Sequence, residues 1–164
     1  MKAKWWVCGV IGVLLLGVAI IFIIHHRGLQ KTKNINATVV VDGNIIVNQY
    51  AKILSDHIEL PLVDILLSVG YSVDWLDTTT AVLSDGERNL KLDIAAHELV
   101  NLDDNENILR FPNGGKMYLC CTFVNKNLIL DEVTLRALMY TIGIKMDISI
   151  DTECAKIVIN TSRV

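Results

Sequence analysis

What this sequence lacks removes most catalytic readings before anything else is considered. Its four cysteines contain no Cys-x-x-Cys pair, and its four histidines contain no His-x-His or His-Glu-x-x-His spacing. The local ligand sets of copper and zinc sites, three or four convergent donors, are therefore missing. Beyond residue 34 only His57 and His97 remain, forty residues apart, and each is expected to be a surface or capping histidine. There is no Gly-x-Ser-x-Gly elbow for a nucleophilic serine and no local cysteine–histidine pattern. "DDNEN" at 103–107 lacks the glycine and closing glutamate of a calcium loop, so it reads as a solvated turn. "NGG" at 113–115 is not followed by a Gly-Lys-Ser/Thr step and reads as a turn, not a phosphate cradle. These absences predict no catalytic, cofactor-binding or metal-binding residue, and no cofactor.

Acidic residues are missing too, but only at one end. Residues 1–33 hold five Lys/Arg and no Asp or Glu, which leaves ten basic against eighteen acidic residues in the other 131, a net of −8. A unit this acidic has no electrostatic footprint for nucleic acid, and no basic stripe with interleaved aromatics occurs. Cysteine settles little. One disulfide from Cys154 to Cys120 or Cys121 outside the cytoplasm and three small buried thiols both fit the letters.

What is present begins with "WWVCGVIGVLLLGVAIIFII", residues 5–24, twenty residues without a charge. At about 1.5 Å rise per residue such a helix is roughly 30 Å long, the thickness of a bilayer's hydrocarbon core. Trp5 and Trp6 suit the headgroup region at one edge, and His25, His26 and Arg27 mark the other. The run is longer than a signal-peptide core, and the exit "FIIHHRGLQ" offers no small-x-small cleavage pattern, so an uncleaved transmembrane signal anchor is expected. Cys8 precedes the apolar core instead of following it, unlike a lipoprotein cysteine. Lys2 and Lys4 on one side nearly balance Arg27, Lys31 and Lys33 on the other. Orientation therefore rests on layout: a short cytoplasmic tail, 1–4, and an extracytoplasmic C-terminal domain at the cell membrane. Residues 25–34, "HHRGLQKTKN", form a polar linker.

The rest of the chain is a phrase stated twice. "LPLVDILLSVGYSVDWLDTTTAVLS" starts at Leu60, and 73 residues later comes "VTLRALMYTIGIKMDISIDTECAKIVI". Counted back from Gly70, the residues Leu62, Ile65, Leu66 and Val69 match Leu135, Leu138, Met139 and Ile142 counted back from Gly143. That is the i, i+3, i+4, i+7 stripe of an amphipathic helix, in one phase both times. Each glycine falls where a left-handed residue would end the helix. Tyr71, Val73, Trp75 and Ile144, Met146, Ile148 then alternate as half-buried strands do, with Asp74 and Asp147 outward. Pro61 fits the first helical turn, and Glu59 and Glu132 match as acids near the helix N-terminus. The matched positions are core, caps and turns. The copies differ at Val63 against Arg136, Leu67 against Tyr140 and Trp75 against Ile148, so the repeat punctuates a fold and is not a site used twice.

The other segments read as strands. "ATVVVDGNIIVN" is a hairpin on Asp42-Gly43, "RNLKLDIA" alternates, and "ELVNL", "NILRF" and "KMYLCCTF" are strands broken by turns. The expected fold is α+β. Residues 35–96 and 97–161 form two related units, each of mostly antiparallel strands around one short helix, behind a single transmembrane helix.

Leu60-Pro61-Leu62, Gly70, Val73-Asp74-Trp75 and Ala81-Val82, with Val133-Thr134-Leu135-Arg136, Gly143 and Asp147 in the second copy, resemble the core of the copper amine oxidase N-terminal-like, or stalk, domain family. The second copy lacks the Pro and the Trp. The resemblance covers roughly residues 35–160 and carries structural motifs only. It implies a surface module of a Gram-positive bacterium, placed beside cell-wall enzymes, and it implies no copper chemistry for this chain. The expectation is a non-catalytic, membrane-anchored extracytoplasmic module, not an enzyme. It meets the lipid bilayer through residues 5–24 and binds a cell-wall polymer or envelope protein, with no nucleic acid and no small-molecule substrate. The alternative is a scaffold or partner subunit that positions a separate cell-envelope enzyme.

Overall fold

The computed structural model describes residues 34–47, 50–109, 118–119 and 121–164. The expected tail at 1–4, the anchor at 5–24 and all of the linker but residue 34 lie outside the described residues. Among the described residues no helix is long and apolar enough to cross a membrane. Strands β1 (Ile35–Asn36), β2 (Thr38–Val41), β3 (Asn44–Ile46), β4 (Lys52–Ile53) and β5 (Ile58–Pro61) lead into helix α1 (Leu62–Ser68). Strands β6 (Ser72–Trp75), β7 (Thr80–Ser84), β8 (Asn89–Asp93), β9 (Glu98–Asn101) and β10 (Glu106–Asn107) follow. The second phrase supplies β11 (Cys121–Val124), β12 (Asn127–Asp131), α2 (Glu132–Thr141), β13 (Ile144–Asp151) and β14 (Lys156–Arg163).

Among the described residues the strands form three sheets, ordered β1-β4-β5-β12-β11, β10-β9-β8-β7-β6 and β13-β14-β2-β3. Every pairing among the described residues is antiparallel except β14 with β2, where Ile157 lies opposite Val39. The fold is thus α+β and mostly antiparallel, as the alternating patterns predict. Asp42 and Gly43, with φ of 48° and 84°, make the tight turn between β2 and β3.

The expected boundary at 96/97 does not divide the strands into two units. β8 pairs with β9 across it, Leu92 opposite Leu99, so a strand assigned to the second repeat completes the sheet of the first. Conversely β2, from the first repeat, flanks β14 of the second. At the centre β5 pairs with β12, Leu60 opposite Leu130. Residues 34–164 accordingly form one compact unit with one apolar core that draws on both repeats. The physical reason is that a two-stranded hairpin is marginal in water and needs further strands or a helix to cover it. Val39 and Val41 on β2 and Leu99 on β9 are buried because they cover the other repeat.

Both helices follow the repeated stripe. Leu62, Ile65 and Leu66 are buried on α1, and Leu135, Leu138 and Met139 on α2. Val69 and Ile142 are the C-cap residues, and Gly70 (φ 91°) and Gly143 (φ 83°) are the left-handed residues after them. At α1 the Tyr71 N–H reaches the Leu66 carbonyl at 3.0 Å and the Gly70 N–H the Leu67 carbonyl at 3.3 Å, which is a Schellman ending.

The helix starts correct the alignment. α2 begins three residues earlier in register than α1, because Asp131 caps it: its Oδ1 accepts the Thr134 N–H at 2.9 Å and its Oδ2 the Thr134 hydroxyl at 2.8 Å. The matched residue in the first copy is Ile58, which cannot cap. Pro61 instead is the last residue of β5 and the N-cap position of α1, not a residue of its first turn. A proline disfavours the helical region for the residue before it, so Leu60 stays extended and the helix waits until Leu62. Glu132 does lie in the first turn of α2, whereas Glu59 lies on β5 and pairs with Lys52 at 3.6 Å. The N-terminus of α1 is capped from the other repeat: Asn127 on β12, only 5% exposed, accepts the Val63 N–H at 3.0 Å through Oδ1.

Two other differences are local. Of "NILRF" only residues 107–109 are described, and β10 reaches just the first of them; in "KMYLCCTF" the described strand starts at Cys121. Arg136, the partner of Val63 in the alignment, donates through Nε to Glu132 at 2.7 Å and through Nη1 to the Met146 carbonyl. It thereby covers a backbone acceptor on β13, the edge strand of its sheet.

A shared core predicts that fragment 34–164 unfolds in urea as a single transition. Leu66→Ala and Met139→Ala should each cost about 2–5 kcal/mol, and Asn127→Ala about 1–2 kcal/mol through the lost cap. Two separable transitions, or losses below about 0.5 kcal/mol at both Leu66 and Met139, would overturn this assignment of the core.

Candidate functional site

Among the described residues the densest polar arrangement lies where the end of α2 meets the first repeat. Asp85 and Arg88 stand in the β7–β8 turn, and Tyr71 follows Gly70 at the end of α1. Asp85 Oδ1 accepts the backbone N–H groups of Glu87 (3.1 Å) and Arg88 (2.8 Å), so the carboxylate shapes its own turn. Its Oδ2 accepts from Arg88 Nη2 at 2.9 Å and Nε at 3.3 Å. Arg88 Nη2 also lies 3.2 Å from the Tyr71 hydroxyl and 3.0 Å from the Ile142 carbonyl, at the C-cap of α2. The Tyr71 hydroxyl directs its proton between Asp85 Oδ2 (3.1 Å) and the same Ile142 carbonyl (3.3 Å). Neither helix has a basic residue in its last turn, so Arg88 brings the cation that the negative end of the α2 dipole favours.

The electrostatics follow from this contact set. Burial of Asp85, whose side chain is 4% exposed, would raise its carboxyl pKa. The hydrogen bonds from Arg88, Glu87 and Tyr71 outweigh that and hold it well below the ordinary carboxylate range. Burial, then the Asp85 charge, raises the Tyr71 hydroxyl, against an opposing pull from Arg88 and Arg163. Beside this network is a hollow of about 100 Å³. Its walls include Tyr71 and Arg88 from the first repeat and Gly143, Ser162 and Arg163 from the second.

A second, more open hollow of about 380 Å³ lies on the central sheet and brings together His57, Glu59, Cys121 and Asp131. Its ionisable groups are engaged elsewhere. His57 Nδ1 is 2.8 Å from Asp56, Glu59 faces Lys52, and Asp131 caps α2. Among the described residues no group of three His, Cys, Asp or Glu is placed to hold a metal ion.

The structure keeps the two histidines apart and gives each a separate job. His97 has φ of 54°; its Nδ1 accepts the Leu119 N–H at 3.1 Å and its ring meets Tyr118 edge-on at 5.5 Å. Cys154 is exposed in the β13–β14 turn, contrary to a buried thiol. Hydrogen bonding and charge from Asp151 raise its pKa, which disfavours the reactive thiolate. Cys120 lies outside the described residues. Within "DDNEN", Asp104 accepts the Glu106 N–H at 3.0 Å, as a turn residue does.

The sequence reading did not single out Asp85, Arg88 or Arg163. "SDGER" announces a turn through Asp85-Gly86, but nothing in its spacing says that Arg88 reaches a carbonyl 54 residues away. No protein-family model, no curated protein and no solved structure matches the chain.

Because the folded-state pKa of Asp85 is depressed, its contribution to stability is complete above the unfolded value near 3.9 and is lost as pH falls below it. Arg88→Met should cost about 2–3 kcal/mol at pH 7 by removing charged hydrogen bonds from a buried carboxylate. It should also flatten the loss of stability between about pH 5 and pH 2 relative to the unsubstituted chain. Urea unfolding across that range reads both effects. Parallel acid curves for the two proteins would show that Asp85 and Arg88 are not coupled.

Proposed function

We propose that this chain is a non-catalytic, single-pass membrane protein whose residues 34–164 form an extracytoplasmic module that binds a cell-wall polymer or another envelope protein. The observation that carries the reading is the uncharged twenty-residue run Trp5–Ile24 ahead of a net −8 unit. The motif residues shared with stalk domains, Leu60-Pro61-Leu62, Gly70, Val73-Asp74-Trp75 and Gly143 among them, favour the surface of a Gram-positive bacterium and rest on sequence alone. The positions that repeat are engaged in core, caps and turns, so recognition falls to features that differ between the copies, among them the seam beside Arg88.

A second reading, a scaffold that positions a separate cell-envelope enzyme, is favoured by one feature. Val133, 70% exposed, and Tyr140 stand two turns apart on the same side of α2, an apolar pair available to a protein partner.

Protease added to wall-stripped intact cells should digest the C-terminal module and leave a fragment of the anchor; digestion only after lysis would place the module in the cytoplasm and remove the wall reading. The purified module should sediment with isolated cell wall. Co-purification of an envelope enzyme without wall sedimentation, abolished by Val133→Asp with Tyr140→Asp, would favour the scaffold instead.

A further inference from the structure

We propose that the hollow between Arg88 and Arg163 is a subsite for one oxyanion, a carboxylate or phosphate group carried by the module's ligand. The strand register brings the second guanidinium there. Ile157 and Ile159 on β14 are fully buried, and the two-residue period puts Thr161 and Arg163 on the same face beyond them, where the strand runs out of the core and leaves Thr161 half-buried and Arg163 exposed. Val164 donates its N–H to the Gly143 carbonyl at 3.0 Å, which fastens this end of β14 beside the α2 terminus. Arg163 therefore shares one concavity with Arg88.

Two guanidiniums facing one hollow repel each other unless something anionic joins them. Asp85 balances Arg88. Asp42, the carboxylate bound on the Arg163 side, is taken up by the Thr161 N–H and hydroxyl. Among the described residues no carboxylate lies within ion-pair distance of Arg163, so that guanidinium has no anionic partner inside a unit of net −8. Donors are available as well. Arg88 uses Nε and Nη2 for Asp85, Tyr71 and Ile142, and its Nη1 has no acceptor among the described residues. The planar fork of Arg163 suits two-oxygen recognition, and Ser162 also lines the hollow. The negative end of the α2 dipole would oppose an anion, but its Ile142 carbonyl is already covered by Arg88 and Tyr71. A volume of about 100 Å³ admits a small anionic head group and not a sugar ring, so the rest of the ligand lies outside. The net acidity of the module then restricts the ligand to one that presents a single anionic group and not a dense polyanion.

The proposal rests on the binding reading only for the ligand that carries the group. Its test is a titration of the full chain in detergent micelles with acetate, methyl phosphate or inorganic phosphate at constant ionic strength, followed by backbone amide NMR. The expected result is a saturable shift of the Gly143, Ser162 and Arg163 signals. It should weaken about tenfold or more in Arg163→Gln, while the equally charge-changed Lys126→Gln, in the β11–β12 turn, behaves as the unsubstituted chain. A stronger response to acetate than to methyl phosphate assigns a carboxylate ligand, and the reverse a phosphate ester. Shifts that chloride reproduces, that never saturate, or that persist in Arg163→Gln would overturn the subsite. Wall sedimentation is scored separately: its failure removes the wall reading and leaves the titration to decide the subsite.

Discussion

An α-helix leaves N–H groups at one end and carbonyls at the other without partners, and here each short helix meets part of that need across the repeat boundary. Pro61 stands at the N-cap position of α1 and offers no side-chain acceptor, so Asn127 from β12 reaches the Val63 N–H. The last carbonyls of α2 lack a local cation, so Arg88 and Tyr71 reach Ile142 from the first repeat. Together with the β5–β12 pairing, these contacts make either repeat an incomplete structure by itself.

That dependence explains why the strands cross over. Once β5 and β12 lie side by side, β2 closes over β14 and β9 closes over β8. Trp75 on β6 meets Phe123 on β11 edge-on, ring centroids 5.0 Å apart, and joins a strand of the first repeat to one of the second. The copies were then free to diverge on their outer faces. Arg136 guards the β13 edge where the matched Val63 cannot, and Asp131 starts α2 a turn earlier than Pro61 allows α1 to start.

The same seam makes the chemistry. At the boundary between the repeats the turn carrying Asp85 and Arg88 meets the end of α2, and Arg163 lines the same hollow. There Arg163 carries a guanidinium with no ion pair among the described residues, in a module that is acidic as a whole. Such a contrast is what a recognition site for one anionic group needs, because long-range repulsion excludes polyanions while a short-range pair holds the single group.

Periodicity and backbone chemistry in the sequence determined the elements. The stripe Leu62, Ile65, Leu66 and its copy named the helices, Gly70 and Gly143 named their ends, and Asp42-Gly43 named a turn. These are local signals, because a helix stripe, a left-handed glycine and a two-residue turn depend on neighbours within about four residues. Residues 35–96 and 97–161 read as two units because similarity along a chain does not reveal which edge a strand will pair with. Asn127, Asp85, Arg88 and Arg163 were silent for the same reason. A cap from 64 residues away, or a guanidinium against a carbonyl 54 residues away, leaves no spacing to detect. Only the packing of β12 against α1, and of the β7–β8 turn against α2, decided those contacts. The unmet hydrogen-bonding groups at helix ends take whatever partner the tertiary structure brings near.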